Sequence, residues 1–211
     1  MPYTKEAFGQ MPGGEAVHKY TLENKNGLTA GFLDLGAVWH SMLVPDREGK
    51  FADVVLGYDS PEHYLASDAH LGEIIGRNAN RIGGGRFELN GREYALTVNN
   101  GPNNLHSGND FYRNRLWEAR TWEEADESSV CFTLESPDGD QGFPGNLKIS
   151  VTYTLNDQDE LHIRYQGVSD ADTIMNMTNH AYFNLAGHQS GDAMGQQVYL
   201  NADRFTPADE V

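Results

Sequence analysis

Four polar stretches hold the side chains best suited to chemistry. Residues 178–187 read TNHAYFNLAG, so His180 sits beside Asn179 and ahead of Tyr182 and Phe183. An imidazole among apolar neighbours costs free energy unless it finds partners. Its near-neutral pKa also suits it to moving a proton. Taken alone, such a histidine reads first as a hydrogen-bonded core residue. Residues 99–108, NNGPNNLHSG, set His106 among asparagines, with Leu105 expected to anchor the loop in the core. Neutral donors and acceptors of this kind suit sugar hydroxyls; the plainer reading is an Asx-turn loop with an incidental histidine. In GRNANRIGGGRF, residues 76–87, Asn80 and Arg81 precede three glycines that allow close backbone approach and positive φ. The plain alternative is a loop with a solvated arginine, and the spacing fits neither a dinucleotide fingerprint nor a Walker loop. The last stretch, ESPDGDQGFPGNL at 135–147, lacks the remaining ligands of a calcium loop and reads as a turn-rich connection. Two histidines, an arginine and several asparagines on separate loops are the lining a neutral, polyhydroxylated ligand needs.

Other classes of function find little support. No G-x-S-x-G elbow, H-E-x-x-H or paired-cysteine zinc spacing occurs. His18, His40, His63, His70, His162 and His188 follow no metal-ligand pattern and read mostly as surface or strand residues. With 31 acidic against 15 basic residues the net charge is -16, which repels nucleic acid and anionic membrane surfaces. Cys131 is the one cysteine, so no intrachain disulfide forms. The N-terminal stretch has no apolar core of signal-peptide length, no run reaches the ~20 residues of a membrane span, and a cytoplasmic location is expected. The sequon at Asn176 reads as a chance match.

The elements that must position these loops are strands and turns. Residues 16–23 and 28–35 flank an NKNG turn, and 87–96 form a hairpin in which Asn90-Gly91 suits a type I′ turn. Further strands are expected at 129–136, 146–155 and 160–168. In the last, Leu161, Ile163 and Tyr165 alternate with His162 and Arg164, the pattern of a half-buried strand. One short helix is predicted, capped by Ser60 with Pro61 at its first position and Glu62 in its first turn. Short strands at regular spacing predict a single all-β domain, a sandwich or a barrel, over residues 1–211.

Read together, VPDREGKFADVVLGYDSPEHY at 44–64, GRNANRIGGGRFELNGREYAL, VNNGPNNLHSG, SPDGDQGFPGNLKISVTYTL, MTNHAYFNLAG and the closing NADRFTPADE resemble the aldose 1-epimerase (galactose mutarotase) family. The resemblance covers nearly the whole chain. It implies a large antiparallel β-sandwich of the galactose mutarotase-like supersandwich type, with the sugar in an open cleft. It also implies a cofactor-free interconversion of the α and β anomers of hexoses such as galactose and glucose. By motif match His180 is the expected acid at the ring oxygen. His106 is expected near the ring oxygen and the C4 hydroxyl, and Asn80 and Arg81 are expected on sugar hydroxyls. The family's general base, a glutamate, and a sugar-binding aspartate lie beyond the RFTPADE segment. Glu210 belongs to that segment and is not the base, and neither Glu73 nor Asp110 is assigned in its place. The chain therefore resembles the N-terminal two-thirds of such an enzyme. By itself it is expected to be marginally stable or prone to self-association through exposed strand edges, and to show negligible activity. The alternative is a sugar-binding β-sandwich without catalysis. A hexose-6-phosphate epimerase would want a cationic cluster, which so acidic a chain does not offer.

Overall fold

Strands that alternate apolar and polar side chains present one face to a core, and two such sheets can close on each other. The computed structural model describes residues 3–207. Its first sheet is β1 (Tyr3–Gln10), β2 (Ala16–Glu23), β3 (Thr29–Leu33), β4 (Trp39–Pro45) and β5 (Phe51–Asp53), in that order and antiparallel. A loop-rich segment follows, with α1 (Pro61–Ala66) and the short strands β6 (Ile74–Ile75), β7 (Arg81–Ile82), β8 (Arg86–Leu89), β9 (Arg92–Ala95) and β10 (Asn104–Leu105). The second sheet is β11 (Glu118–Glu123), β12 (Glu127–Ser136), β13 (Leu147–Asn156) and β14 (Leu161–Ser169), again antiparallel in chain order. A two-residue strand, β15 (Thr178–Asn179), then returns to pair with β6.

The two sheets share one core. Tyr20, Leu22, Ala30 and Phe32 from the first meet Val130, Phe132, Val151 and Tyr153 from the second. Phe32 stacks on Tyr153 with ring centroids 4.2 Å apart, and Tyr20 meets Phe132 edge-on at 5.7 Å. Each large apolar side chain buried here contributes about 1.5–3 kcal/mol. The Tyr153 hydroxyl donates to the Ala37 carbonyl at 2.8 Å, so this buried hydroxyl is satisfied.

Much of the local structure follows the pattern read from the residues. Asn90 and Gly91 have φ of 54° and 75°, the two positive values a type I′ hairpin needs. Asn24 Oδ1 closes the NKNG turn by accepting from the backbone N–H groups of Asn26 and Leu28. The Ser60 hydroxyl accepts from the His63 N–H at the start of α1, the α-helix among the described residues. Along β14 Leu161, Ile163 and Tyr165 are half-buried while His162, Arg164 and Gln166 are exposed. Other strands carry no such pattern. β1 is exposed along most of its length, β11 reads EARTWE, and both are strands because a neighbour pairs with them. No helix of the described residues is long and apolar enough to cross a membrane. Glu210 lies outside the described residues.

Candidate functional site

Residues 72–82 form a spine that every candidate loop grips. Its first part pairs with the TNHAYF segment: Ile75 faces Thr178 and Ile74 faces Asn179 in the β6–β15 ladder. The ladder extends by one pair, with the His180 N–H donating to the Glu73 carbonyl at 2.9 Å and the Gly72 N–H donating to the His180 carbonyl at 3.0 Å. Its middle bridges to Asn176, whose N–H donates to the Arg77 carbonyl while its carbonyl accepts from Ala79. Its end pairs with the asparagine-rich loop: Arg81 faces Leu105 and Ile82 faces Asn104 in β7–β10, and the His106 N–H donates to the Asn80 carbonyl. Two segments about seventy residues apart in sequence are thereby held on one strand.

Glycine is required at one joint of the spine. Gly72 has φ of 69°, and a Cβ there would overlap the Trp39 carbonyl oxygen. The Gly72 carbonyl accepts from Trp39 N–H at 2.8 Å and from the Asn179 side chain at 2.7 Å. Asn179 Nδ2 also donates to the Tyr153 hydroxyl at 3.1 Å. His180 is thus tied through one glycine and one asparagine to both sheets. Beneath the spine, the Arg77 side chain is 1% exposed and makes six hydrogen bonds. Its partners are the Ser136 hydroxyl and carbonyl, the carbonyls of Pro137, Pro144 and Gly145, and the Thr173 hydroxyl. The 135–147 stretch is therefore a turn-rich connection clamped to the spine, and its Asp140 accepts from Arg115 at 2.7 Å.

The imidazoles converge. The rings of His106 and His180 lie 5.3 Å apart, centroid to centroid, at 88°. Tyr182 leans beside His180 at 5.2 Å, and its ring is partly exposed. Phe183 instead meets Trp39 edge-on at 5.4 Å. His106 Nδ1 accepts the Asn80 backbone N–H at 3.1 Å, which puts the ring proton of the neutral form on Nε2. Burial, first, and then electrostatic repulsion from His70, His180 and Arg81 around the ring hold the His106 pKa down to about 4. At neutral pH His106 is therefore a neutral donor. Arg81 donates from Nε to the Asn100 side chain at 2.9 Å and from Nη1 to Asn80 Oδ1 at 3.0 Å. Neither ring nitrogen of His180 has a hydrogen-bond partner among the described residues. The site faces solvent. The larger grooves, about 620 Å³ beside Leu147 and Val168 and about 680 Å³ over the polar outer face of the second sheet, lie elsewhere.

The backbone around the site is unusual as well. His70, Asn80, His106 and Ser107 all have positive φ, between 53° and 71°. A side chain in that region costs of order 1–2 kcal/mol and must be held by its surroundings. Ser107 shows how: its hydroxyl accepts from the Asn78 N–H at 2.8 Å and donates to the Asn78 carbonyl at 3.2 Å.

All four residues singled out in the sequence, Asn80, Arg81, His106 and His180, meet along this spine. Two expectations are corrected. Leu105 is only half-buried, and the buried anchor of its loop is Asn104, 0% exposed, which donates to the Thr97 carbonyl at 2.7 Å. A side-chain amide can anchor a loop that has few apolar residues because it satisfies backbone groups as it is buried. His70, read as a surface or strand histidine, belongs to the cluster. Its ring lies 5.1 Å from His106 and 5.5 Å from His180. The only hint in the sequence is Glu73 three residues later, and nothing in that spacing marks it as functional. Among the described residues no group of three or more ligand side chains is arranged to hold a metal ion.

Known proteins share this arrangement of sequence and fold. The family profile described as Aldose 1-epimerase matches residues 18–211. A galactose mutarotase of Bos taurus is 42% identical over 209 residues, 99% of this chain and 59% of its own length. An aldose 1-epimerase of Haemophilus influenzae is 43% identical over 199 residues, 94% of this chain and 57% of its own. The crystal structure of galactose 1-epimerase from Lactobacillus acidophilus superposes with a TM-score of 0.78 at 31% identity, covering 87% of this chain and 53% of that one. The chain thus spans a little under three-fifths of the curated relatives it matches. A fold that superposes on a galactose 1-epimerase, and a family match that takes in the spine and both histidine loops, place this chain in the aldose 1-epimerase family.

Proposed function

We propose that the cluster on the spine is the acid half of a hexose mutarotation site, acting on cyclic aldoses such as galactose and glucose. The observation that carries this is the 5.3 Å approach of His106 and His180, two rings from loops remote in sequence. Opening a cyclic hemiacetal requires a proton to leave the C1 hydroxyl and another to reach the ring oxygen. The C1–O5 bond then breaks, the C1–C2 bond rotates, and the O5 hydroxyl attacks the other face of the aldehyde. The two protons return by the reverse route. His180, with both ring nitrogens free of partners among the described residues, is the group assigned to protonate the ring oxygen. Acid–base catalysis of this kind contributes about 10²–10⁴-fold. His106 donates from Nε2 to a sugar oxygen, and Arg81 and Asn80 hold hydroxyls. Arg81 also adds positive potential where oxygen gains negative charge.

A second reading has an observation behind it. The carboxylate hydrogen-bonded into the cluster, Glu73, is 2% exposed and engaged by His70 and Arg113, so it is no free base for the C1 hydroxyl. On that reading this polypeptide binds the sugar and turns it over slowly or not at all. Polarimetry of freshly dissolved α-D-glucose, run beside calorimetric titration with galactose, separates the two. Binding with negligible acceleration is expected for the chain alone. Acceleration well above buffer that disappears in His180→Ala would mean that a base exists within these residues. Absence of binding, with His180→Ala indistinguishable from the unaltered chain, would remove the sugar-site reading.

A further inference from the structure

The proposed reaction assigns no part to His70, yet the structure holds it more tightly than either of its neighbours. Its Nδ1 stands 2.7 Å from Glu73 Oε1. Two bare acceptors do not approach that closely, so a proton lies between them. The Arg113 guanidinium, 3.7 Å from Glu73 Oε2, favours the ionised carboxylate, and the ring is therefore the donor. Arg113 Nη1 is also 3.5 Å from His70 Nδ1, at the limit of a hydrogen bond and unable to compete with the shorter contact. Glu73 is 2% exposed and Arg113 6%. Phe111 packs edge-on against the His70 ring at 4.9 Å and receives the Arg113 guanidinium over its face at 4.8 Å. Breaking a desolvated pair of this kind is far more costly than breaking a surface one, so the proton is locked on Nδ1 of His70.

His106 is locked in the opposite sense, because its Nδ1 accepts from Asn80. Two rings 5.1 Å apart therefore offer a ligand different things: a lone pair on Nε2 of His70 in its Nδ1–H tautomer and an N–H on Nε2 of His106. We propose that His70 is a third sugar-contacting imidazole, which accepts a hydrogen bond from one pyranose hydroxyl while His106 donates to a neighbouring sugar oxygen. Glu73 and Arg113 are positioning residues that set the tautomer of His70. A hydroxyl read both as donor and as acceptor is distinguished from an ether or a missing hydroxyl, since the analogue leaves a buried polar group unpaired. This inference rests on the sugar-site reading above.

Two measurements test it. The first needs no sugar: long-range proton–nitrogen NMR of the imidazoles at neutral pH. The expected result is a proton on Nδ1 alone of His70 and on Nε2 of His106; a His70 ring carrying a proton on Nε2, with or without one on Nδ1, overturns the inference. In Glu73→Gln the amide can donate to Nδ1, and the His70 proton is expected to move to Nε2. The second is calorimetric titration with galactose. His70→Phe keeps a ring against Phe111 and is expected to weaken binding about 3- to 10-fold, the worth of one hydrogen bond. Unchanged circular dichroism and unchanged His106 signals show that the variant is folded. Binding that depends on His180 and His106 but not on His70 overturns this inference and leaves the sugar site standing. No binding by the unaltered chain overturns both.

Discussion

Arg77→Lys is the substitution whose consequence the structure fixes most closely. The guanidinium has five N–H donors and six acceptors around it, so one donor is shared. A lysine ammonium has three donors on a single atom. At least three acceptors lose their partner, in a region where the side chain is 1% exposed and water does not replace it. Each buried polar group left unsatisfied costs about 1–3 kcal/mol. The floor is thus about 3 kcal/mol, a large part of the 5–15 kcal/mol that holds a typical domain together. Urea unfolding followed by tryptophan fluorescence measures it, since Trp117 is 3% exposed and reports on the core. A midpoint shift worth less than about 1 kcal/mol at unchanged m-value would refute the hydrogen-bond accounting. The same variant is expected to weaken galactose binding, because Arg77 clamps the spine between Ile75 and Asn80. Wild-type affinity in a folded Arg77→Lys protein would show that the spine keeps its course without the clamp.

Acid sensitivity is expected from two histidines. Burial, chiefly, holds His40 at a pKa of about 4, and His106 is likewise held at about 4. Unfolded, each returns to about 6.5. Between those values the unfolded chain binds protons that the native state does not. Stability is therefore full above pH ~6.5 and falls as the pH drops toward ~4. For His40 the loss is at most about 3 kcal/mol, and for the more solvated His106 it is smaller. His40→Phe should flatten the urea midpoint between pH 7 and 4 whatever its offset; an unchanged slope would count against this source. Gly72→Ala places a Cβ against the Trp39 carbonyl at a φ of 69°, and should cost at least about 1–3 kcal/mol while lowering sugar affinity through His180. Thermal melts beside titrations would expose the error if neither changes. Ser107→Ala orphans the Asn78 N–H and should cost about 1–3 kcal/mol, read from the same melts.

The site draws its definition from unusual local conformations held by ordinary contacts. Positive φ at Asn80 and His106 would be unfavourable in an isolated loop. Here the Asn80 N–H finds His106 Nδ1 and the Asn80 carbonyl finds the His106 N–H, so each residue satisfies the other. The same reciprocity fixes the tautomer of His106, while burial chiefly keeps it a neutral donor beside a second and third imidazole.

Several elements were determined by the chain itself, because their signals are local. Asn90-Gly91 suits the hairpin it makes, Ser60-Pro61 starts the helix, and the alternation along Leu161–Ser169 sets which face of β14 meets the core. The polar character of the loops carrying Asn80, Arg81, His106 and His180 was equally plain, and so was the family they resemble. Tertiary structure alone decided that β1 and β11 are strands, since their stability comes from a paired neighbour and not from their own pattern. It alone decided that Asn104, not Leu105, anchors its loop. It also brought His70 into the cluster. A histidine's role depends on what its two nitrogens face, and Glu73, Arg113 and His106 reach His70 only through the course of the spine.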